Sequence, residues 1–151
     1  MIPGIDISEW QGHVDFNAVK ASGVKFVLIR AGYGRSASQV DHYFAEHYAQ
    51  AKAAGLQVGA YWYSYAVSPA DAANEARACL TVLGNRHFDY PIYFDLEEKW
   101  QFANGRNFCD SLVKASVAFW NRMVAMRVYI FLVHHCKITS LPLLLSVMQS
   151  G

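Results

Sequence analysis

Four strand-like runs set the frame of this chain: GIDIS at 4–8, KFVLIRAG at 25–32, LQVGAYWYSYA at 56–66 and PIYFDLE at 91–97. The segments between them carry a helical period. DFNAVKASG, at 15–23, brings Phe16, Ala18 and Val19 near one face and meets a stop at Gly23. DHYFAEHYAQAKAAG, at 41–55, lines up Tyr43, His47, Ala51 and Ala54 and ends at Gly55. The third helix is the best marked. Ser68 serves as N-cap, Pro69 as first helical residue and Asp71 as capping-box acid, followed by an apolar stripe of Ala72, Ala76, Cys79, Leu80 and Leu83 before Gly84. A fourth helix is expected from about Asn107 into the 120s. Strands joined through helices predict repeated βα units on a parallel sheet. Periodicity alone leaves two architectures, an open doubly wound sheet and a closed β/α barrel.

A length of 151 residues suits one domain with a real core, and 54% hydrophobic against 17% charged residues argues against disorder. The net charge of +1 gives no reason to expect a nucleic acid or an anionic membrane as partner. That average hides an asymmetry. All twelve acids lie at or before Asp110, whereas residues 111–151 hold four Lys/Arg and no acid. Cys79, Cys109 and Cys136 are far apart and odd in number, which fits buried thiols rather than a disulfide framework or a CxxC metal site. The opening MIPGIDISEW has no basic n-region and meets an acid at position 6, so no signal peptide is expected. MVAMRVYIFLV is too short to span a bilayer and contains Arg127. The chain reads as soluble and monomeric.

In either parallel architecture, functional groups collect at the C-terminal ends of the strands. Asp6, Arg30 with Tyr33, Tyr61 to Tyr65, and Asp95 with Glu97 all fall there. Because side chains alternate along a strand, Tyr93, Asp95 and Glu97 share one face, while Ile92, Phe94 and Leu96 share the other. Two carboxylates are thereby aimed into one cavity, with Asp6 arriving from the first strand. Three acids at one rim repel one another, so at least one should hold its proton above the usual carboxylate range. A proton held beside ionised neighbours is what glycosidic cleavage requires. Taken alone, D-x-E is also compatible with a solvated strand end, a salt bridge or Mg²⁺ ligation in a phosphotransfer enzyme on an open sheet. AGYGRS, at 31–36, lacks the third glycine and the lysine of phosphate-binding loops.

Taken together and in order, GIDISEWQG at 4–12, FVLIRAGYG at 26–34, GAYWYSYA at 59–66 and PIYFDLE at 91–97 resemble the family 25 glycoside hydrolases, the Chalaropsis-type lysozymes common among phage endolysins and bacterial autolysins. The resemblance covers residues 1–115. It implies a flattened, TIM-like β/α barrel, here incomplete with about four clear βα units. The implied activity is hydrolysis of the β-1,4 bond between N-acetylmuramic acid and N-acetylglucosamine in peptidoglycan. Carried over by motif, Glu97 is the general acid, Asp95 stabilises positive charge or orients the acetamido group, and Asp6 holds the sugar and tunes Glu97. Tyr33, Tyr61 and Tyr63 are candidate sugar contacts. Trp10 either lines the cleft or plugs the barrel floor, and Glu98, breaking the parity of its neighbours, is read as structural or solvent-facing. No cofactor or metal is implied, and the implied place of action is the bacterial cell wall. The rival from another class is a catalytically inactive, carbohydrate-binding remnant that keeps the rim without turnover.

Residues 116–151 depart from the family pattern. The G-Y-x-x-G-I-Y strand, the tryptophan-bearing strands and the late Asp of the family are absent from the sequence there, and no glycine occurs before Gly151. The expectation is an atypical tail, read in a shifted frame or belonging to a truncated gene. VYIFLV could add one strand and SLPLLLSVM a short helix or a second strand. An incomplete barrel exposes sheet edges and interior apolar faces, so weak stability, aggregation and impaired hydrolysis are expected.

Overall fold

A computed structural model describes residues 2–123 and the backbone of 128–131. Five strands, β1 (Gly4–Ile7), β2 (Phe26–Tyr33), β3 (Gln57–Tyr63), β4 (Ile92–Asp95) and β5 (Val128–Phe131), form one sheet in the order β1-β2-β3-β4-β5. Every pairing is parallel. The connections carry α1 (Phe16–Ala21), α2 (Phe44–Ala53), α3 (Pro69–Leu83), and then α4 (Lys99–Ala103) with α5 (Arg106–Met123) between β4 and β5. Among the described residues the sheet is open rather than closed, because β1 and β5 each have one paired neighbour.

Local chemistry accounts for these elements. Asp15 caps α1 by accepting from the N–H groups of Asn17 and Ala18, each at 3.0 Å. Ser68 Oγ accepts from Asp71 N–H at 3.2 Å at the start of α3. The expected capping box is not reciprocal: the Asp71 carboxylate reaches past the cap to Val67 N–H (3.3 Å) and pairs with Arg35 (3.1 Å). α4 has no counterpart among the expected helices. VYIFLV supplies β5, while SLPLLLSVM and Cys136 lie outside the described residues.

One face of β2, β3 and β4 is buried against helices. Val27 and Ile29, Val58, Ala60 and Trp62, and Ile92, Phe94 and Leu96 form this core with Phe44, Leu83, Leu112 and Trp120. α5 passes residue 115 without a break, and its Ser116 and Trp120 are buried. The Trp120 Nε1–H donates to the Ala76 carbonyl of α3 at 2.9 Å. Cys79 and Cys109 are buried, and the Cys109 thiol donates to the Gln101 carbonyl at 3.4 Å. Among the described residues, no helix is long and apolar enough to cross a membrane.

β2 contains an irregularity that matters for the rim. Its register with β3 slips between Arg30 and Gly32, so that Gly32 pairs with Trp62 and Tyr33 with Tyr63. A bulge re-aims the residues beyond it. Gly32 is required there by close approach: a Cβ would lie 2.6 Å from the Trp62 ring. The Trp62 Nε1–H in turn donates to the Gly34 carbonyl at 2.9 Å, fixing the end of β2.

Candidate active site

The carboxylates meet as the alternation requires. Register places Asp6 beside Leu28 and therefore Gly59, and Asp95 beside Tyr63, so Tyr61 lies between the two levels on the same face of β3. Asp95 is buried, with 5% of its surface exposed, whereas Glu97 and Asp6 are open to solvent. Burial first, then the charges of Glu97 and Asp6 and a hydrogen bond with Glu97, push the Asp95 carboxyl up to about 8. Among the described residues its Oδ1 has no hydrogen-bond partner. Of the three acids it is Asp95, the buried one, whose carboxyl is pushed upward.

Tyrosines line the same mouth. The Tyr61 hydroxyl is held protonated chiefly by burial, opposed by Arg30 and reinforced by Asp6 and Asp95. The Tyr63 hydroxyl is also pushed up, by burial and by its bond to Glu98, to which it donates at 3.0 Å. Glu98 is thus half-buried and engaged with a rim tyrosine, which favours the structural side of the reading of it as structural or solvent-facing. The parity argument fails at this position because β4 ends at Asp95 and the chain turns into α4. Tyr33 lies under the Arg30 guanidinium, 5.6 Å from its ring centre, and edge-on to Tyr65 at 6.2 Å.

Trp10 does not plug the floor. It sits on a 3₁₀ turn, Glu9–Gln11, directly after β1 and is 81% exposed. That turn is fastened at both ends. Ser8 and Gln11 form a reciprocal cap, and Glu9 bonds Arg30 Nη2 at 2.7 Å. Arg30 Nε also donates to Asp41 at 2.8 Å, and Asp41 accepts from the backbone N–H of Glu9 (2.9 Å) and Tyr43 (3.0 Å). A buried cation with two carboxylate partners and backbone donors is a satisfied network. Arg30, read from the sequence only as a rim residue, is the post that holds the turn bearing Trp10. Among the described residues, no group of three or more His, Cys, Asp or Glu could hold a metal ion.

Comparison with known proteins gives the family. The family model described as glycosyl hydrolases family 25 matches residues 5–130. The chain belongs to that family. It is 47% identical over 94 residues to an autolytic lysozyme of Clostridium acetobutylicum, a match covering 62% of this chain and 28% of that protein. Among solved structures, the modular autolysin LytC of Streptococcus pneumoniae superposes with a TM-score of 0.74 at 25% identity, over 85% of this chain and 32% of LytC. A muramidase of Acremonium alcalophilum superposes at 0.71 and 26% identity, over 87% of this chain and 65% of the other. The chain therefore spans less than a third of the lysozyme and the autolysin, and about two thirds of the fungal enzyme. The family 25 match extends through β4 into β5, so every rim residue described above lies inside it.

Proposed function

We propose that this chain is an N-acetylmuramidase that hydrolyses the β-1,4 bond between N-acetylmuramic acid and N-acetylglucosamine in bacterial peptidoglycan. The observation that carries this reading is the buried Asp95 carboxyl, held protonated against Glu97 and Asp6 at the C-terminal mouth of a family 25 sheet. The lysozyme and autolysin relatives support it, as does the structure of LytC with a synthetic peptidoglycan ligand.

The chemistry follows from one shared proton. Asp95 is buried and Glu97, two residues on, is exposed. The proton passes from Asp95 to Glu97, which faces the cleft and delivers it to the glycosidic oxygen as the C–O bond breaks. Asp95 is left ionised beside the sugar carbon where positive charge develops, and Asp6 adds to the same negative field. Water supplies the hydroxyl of the new reducing end and the proton that recharges the acid pair. Tyr61 and Tyr63 offer hydroxyl donors, and Tyr33 and Trp10 offer ring faces, as sugar contacts. The unit that carries this chemistry is 1–115, with 116–151 as an atypical extension.

The test compares wild type with Glu97→Gln for reducing-sugar release from purified cell walls and for co-sedimentation with them. Wild type should release product, and the variant should lose about 100- to 10,000-fold in rate while still sedimenting, as expected for removal of a general acid. Sedimentation with no product even from wild type would instead establish the inactive, sugar-binding alternative.

A further inference from the structure

The three residues beyond β3, Ser64, Tyr65 and Ala66, lie past its paired register, yet most of their backbone polar groups have partners. Ser64 N–H donates to the Asp95 carbonyl at 2.9 Å. Tyr65 N–H donates to Glu75 Oε1 at 2.9 Å, and Ala66 N–H to Ser64 Oγ at 3.2 Å. Gln101 Nε2 reaches the carbonyls of Ser64 (3.4 Å) and Ala66 (3.2 Å). Two wholly buried polar side chains, Glu75 on α3 and Gln101 on α4, thus grip one short segment from inside the protein.

Burying a carboxyl so completely is costly unless its bonds serve a purpose. Glu75 shows that cost: desolvation pushes its carboxyl up to about 7, against the opposing influence of the Ser64 hydroxyl and the Tyr65 N–H. Its Oε2 has no partner among the described residues. What this grip presents is the Tyr65 ring. By the alternation of Tyr61, Tyr63 and Tyr65 against buried Trp62, Ser64 and Ala66, the ring emerges on the face that bears the acids. It is 47% exposed, lies 5.1 Å from the Tyr63 ring and 6.2 Å from Tyr33, and feels the charges of Glu98 and Arg30. An exposed ring with a hydroxyl, backed by two others, is a flat apolar wall with a polar tip, suited to the face and edge of a pyranose.

We infer that Tyr65 is a sugar-binding wall of the glycan cleft and that Glu75 is the positioning residue that holds it there. This rests on the muramidase reading. Tyr65 contributes to binding in ground and transition states alike, so its loss raises KM and spares kcat. Glu75 acts through the Tyr65 backbone, so its loss has the same signature.

The experiment measures kcat and KM on soluble, uncrosslinked peptidoglycan strands, and co-sedimentation with insoluble peptidoglycan. Its variants are Tyr65→Ala, Tyr65→Phe, Glu75→Ala, Glu75→Asp, Glu75→Gln and the Tyr65→Ala/Glu75→Ala double. Tyr65→Ala should raise KM about tenfold with kcat within about threefold of wild type, and Tyr65→Phe, which keeps the ring and loses the hydroxyl, should raise KM by less than Tyr65→Ala. Glu75→Ala should raise KM, and Glu75→Gln should restore it, because an amide oxygen still accepts from Tyr65 N–H. The double variant should be no worse in KM than Tyr65→Ala, since both act through one ring. If Glu75→Ala does not fold, Glu75→Asp, which withdraws the acceptor by one methylene, should show the same rise. An unchanged KM in Tyr65→Ala, in an enzyme that cleaves, overturns the inference and leaves the muramidase reading standing. Additive effects in the double variant, or wild-type KM in a folded Glu75→Asp, overturn the role of Glu75. If wild type does not cleave, the muramidase reading fails. Sedimentation then decides for Tyr65, with weaker binding of Tyr65→Ala supporting it and unchanged binding refuting it.

Discussion

Replacing Asp95 by Asn should stabilise the fold by an amount that grows with pH. Asn fills nearly the same volume on the acid-bearing face, so the core on the opposite face, with Phe94 and Leu96, is undisturbed. What changes is the proton. In the unfolded chain Asp95 ionises near 3.8, whereas in the fold burial and the charges of Glu97 and Asp6 hold it protonated up to about 8. Between those values the folded state carries a proton that the unfolded state has released, so wild-type stability falls as pH rises and levels off above the upper value. At about 1.4 kcal/mol per unit the window amounts to roughly 6 kcal/mol, and water reaching into an open cleft reduces this to about half. Guanidinium unfolding of both proteins at pH values from about 4 to about 9 measures the difference directly, while titration of Glu75 and Asp89 is common to both and cancels. The expected result is near equality at the acid end and an advantage of about 3 kcal/mol or more for Asp95→Asn at the alkaline end. Glycan hydrolysis should be lost throughout. A difference that does not vary with pH, or wild type gaining on the variant as pH rises, would refute the reasoning, because either would mean that Asp95 ionises normally in the fold.

Arg30→Met removes the cation that faces Asp41, whose side chain is wholly buried. It should cost about 3–5 kcal/mol in denaturant unfolding, the usual loss when one member of a buried pair is left charged. Trp120→Ala should cost about 3–5 kcal/mol by the same assay, since the ring is fully buried and bonded to the Ala76 carbonyl. A loss under about 1 kcal/mol would mean that the end of α5 does not pack on α3. Ser68→Ala should cost about 1 kcal/mol through the Asp71 N–H that it leaves unpaired.

The parts of this structure that were legible in the sequence are those governed by local period. Strand alternation placed Asp95 and Glu97 on one face, and Ser68, Pro69 and Gly84 bounded α3 because caps act within a turn. The bond of Glu98 to Tyr63 was not legible, because β4 ends at Asp95 and alternation no longer sets direction there. The Arg30, Glu9 and Asp41 network joins residues that are distant in sequence, so no local pattern announces it. Glu75 did carry a signal. It falls three residues after Ala72 and four before Cys79, which puts an acid on the buried stripe of α3, and a charged residue on an apolar face marks a buried partner. Gln101 belongs to α4, a five-residue helix too short to show a period of its own.

The most direct test of the account is mass spectrometry of the soluble products after purified peptidoglycan is incubated with the wild-type chain at neutral pH. Disaccharide peptides bearing N-acetylmuramic acid at the new reducing end are predicted, and they should be absent when Glu97→Gln replaces wild type. Products ending in N-acetylglucosamine, or cleavage that persists in Glu97→Gln, would contradict the assignment of the Asp6, Asp95 and Glu97 mouth as a muramidase site.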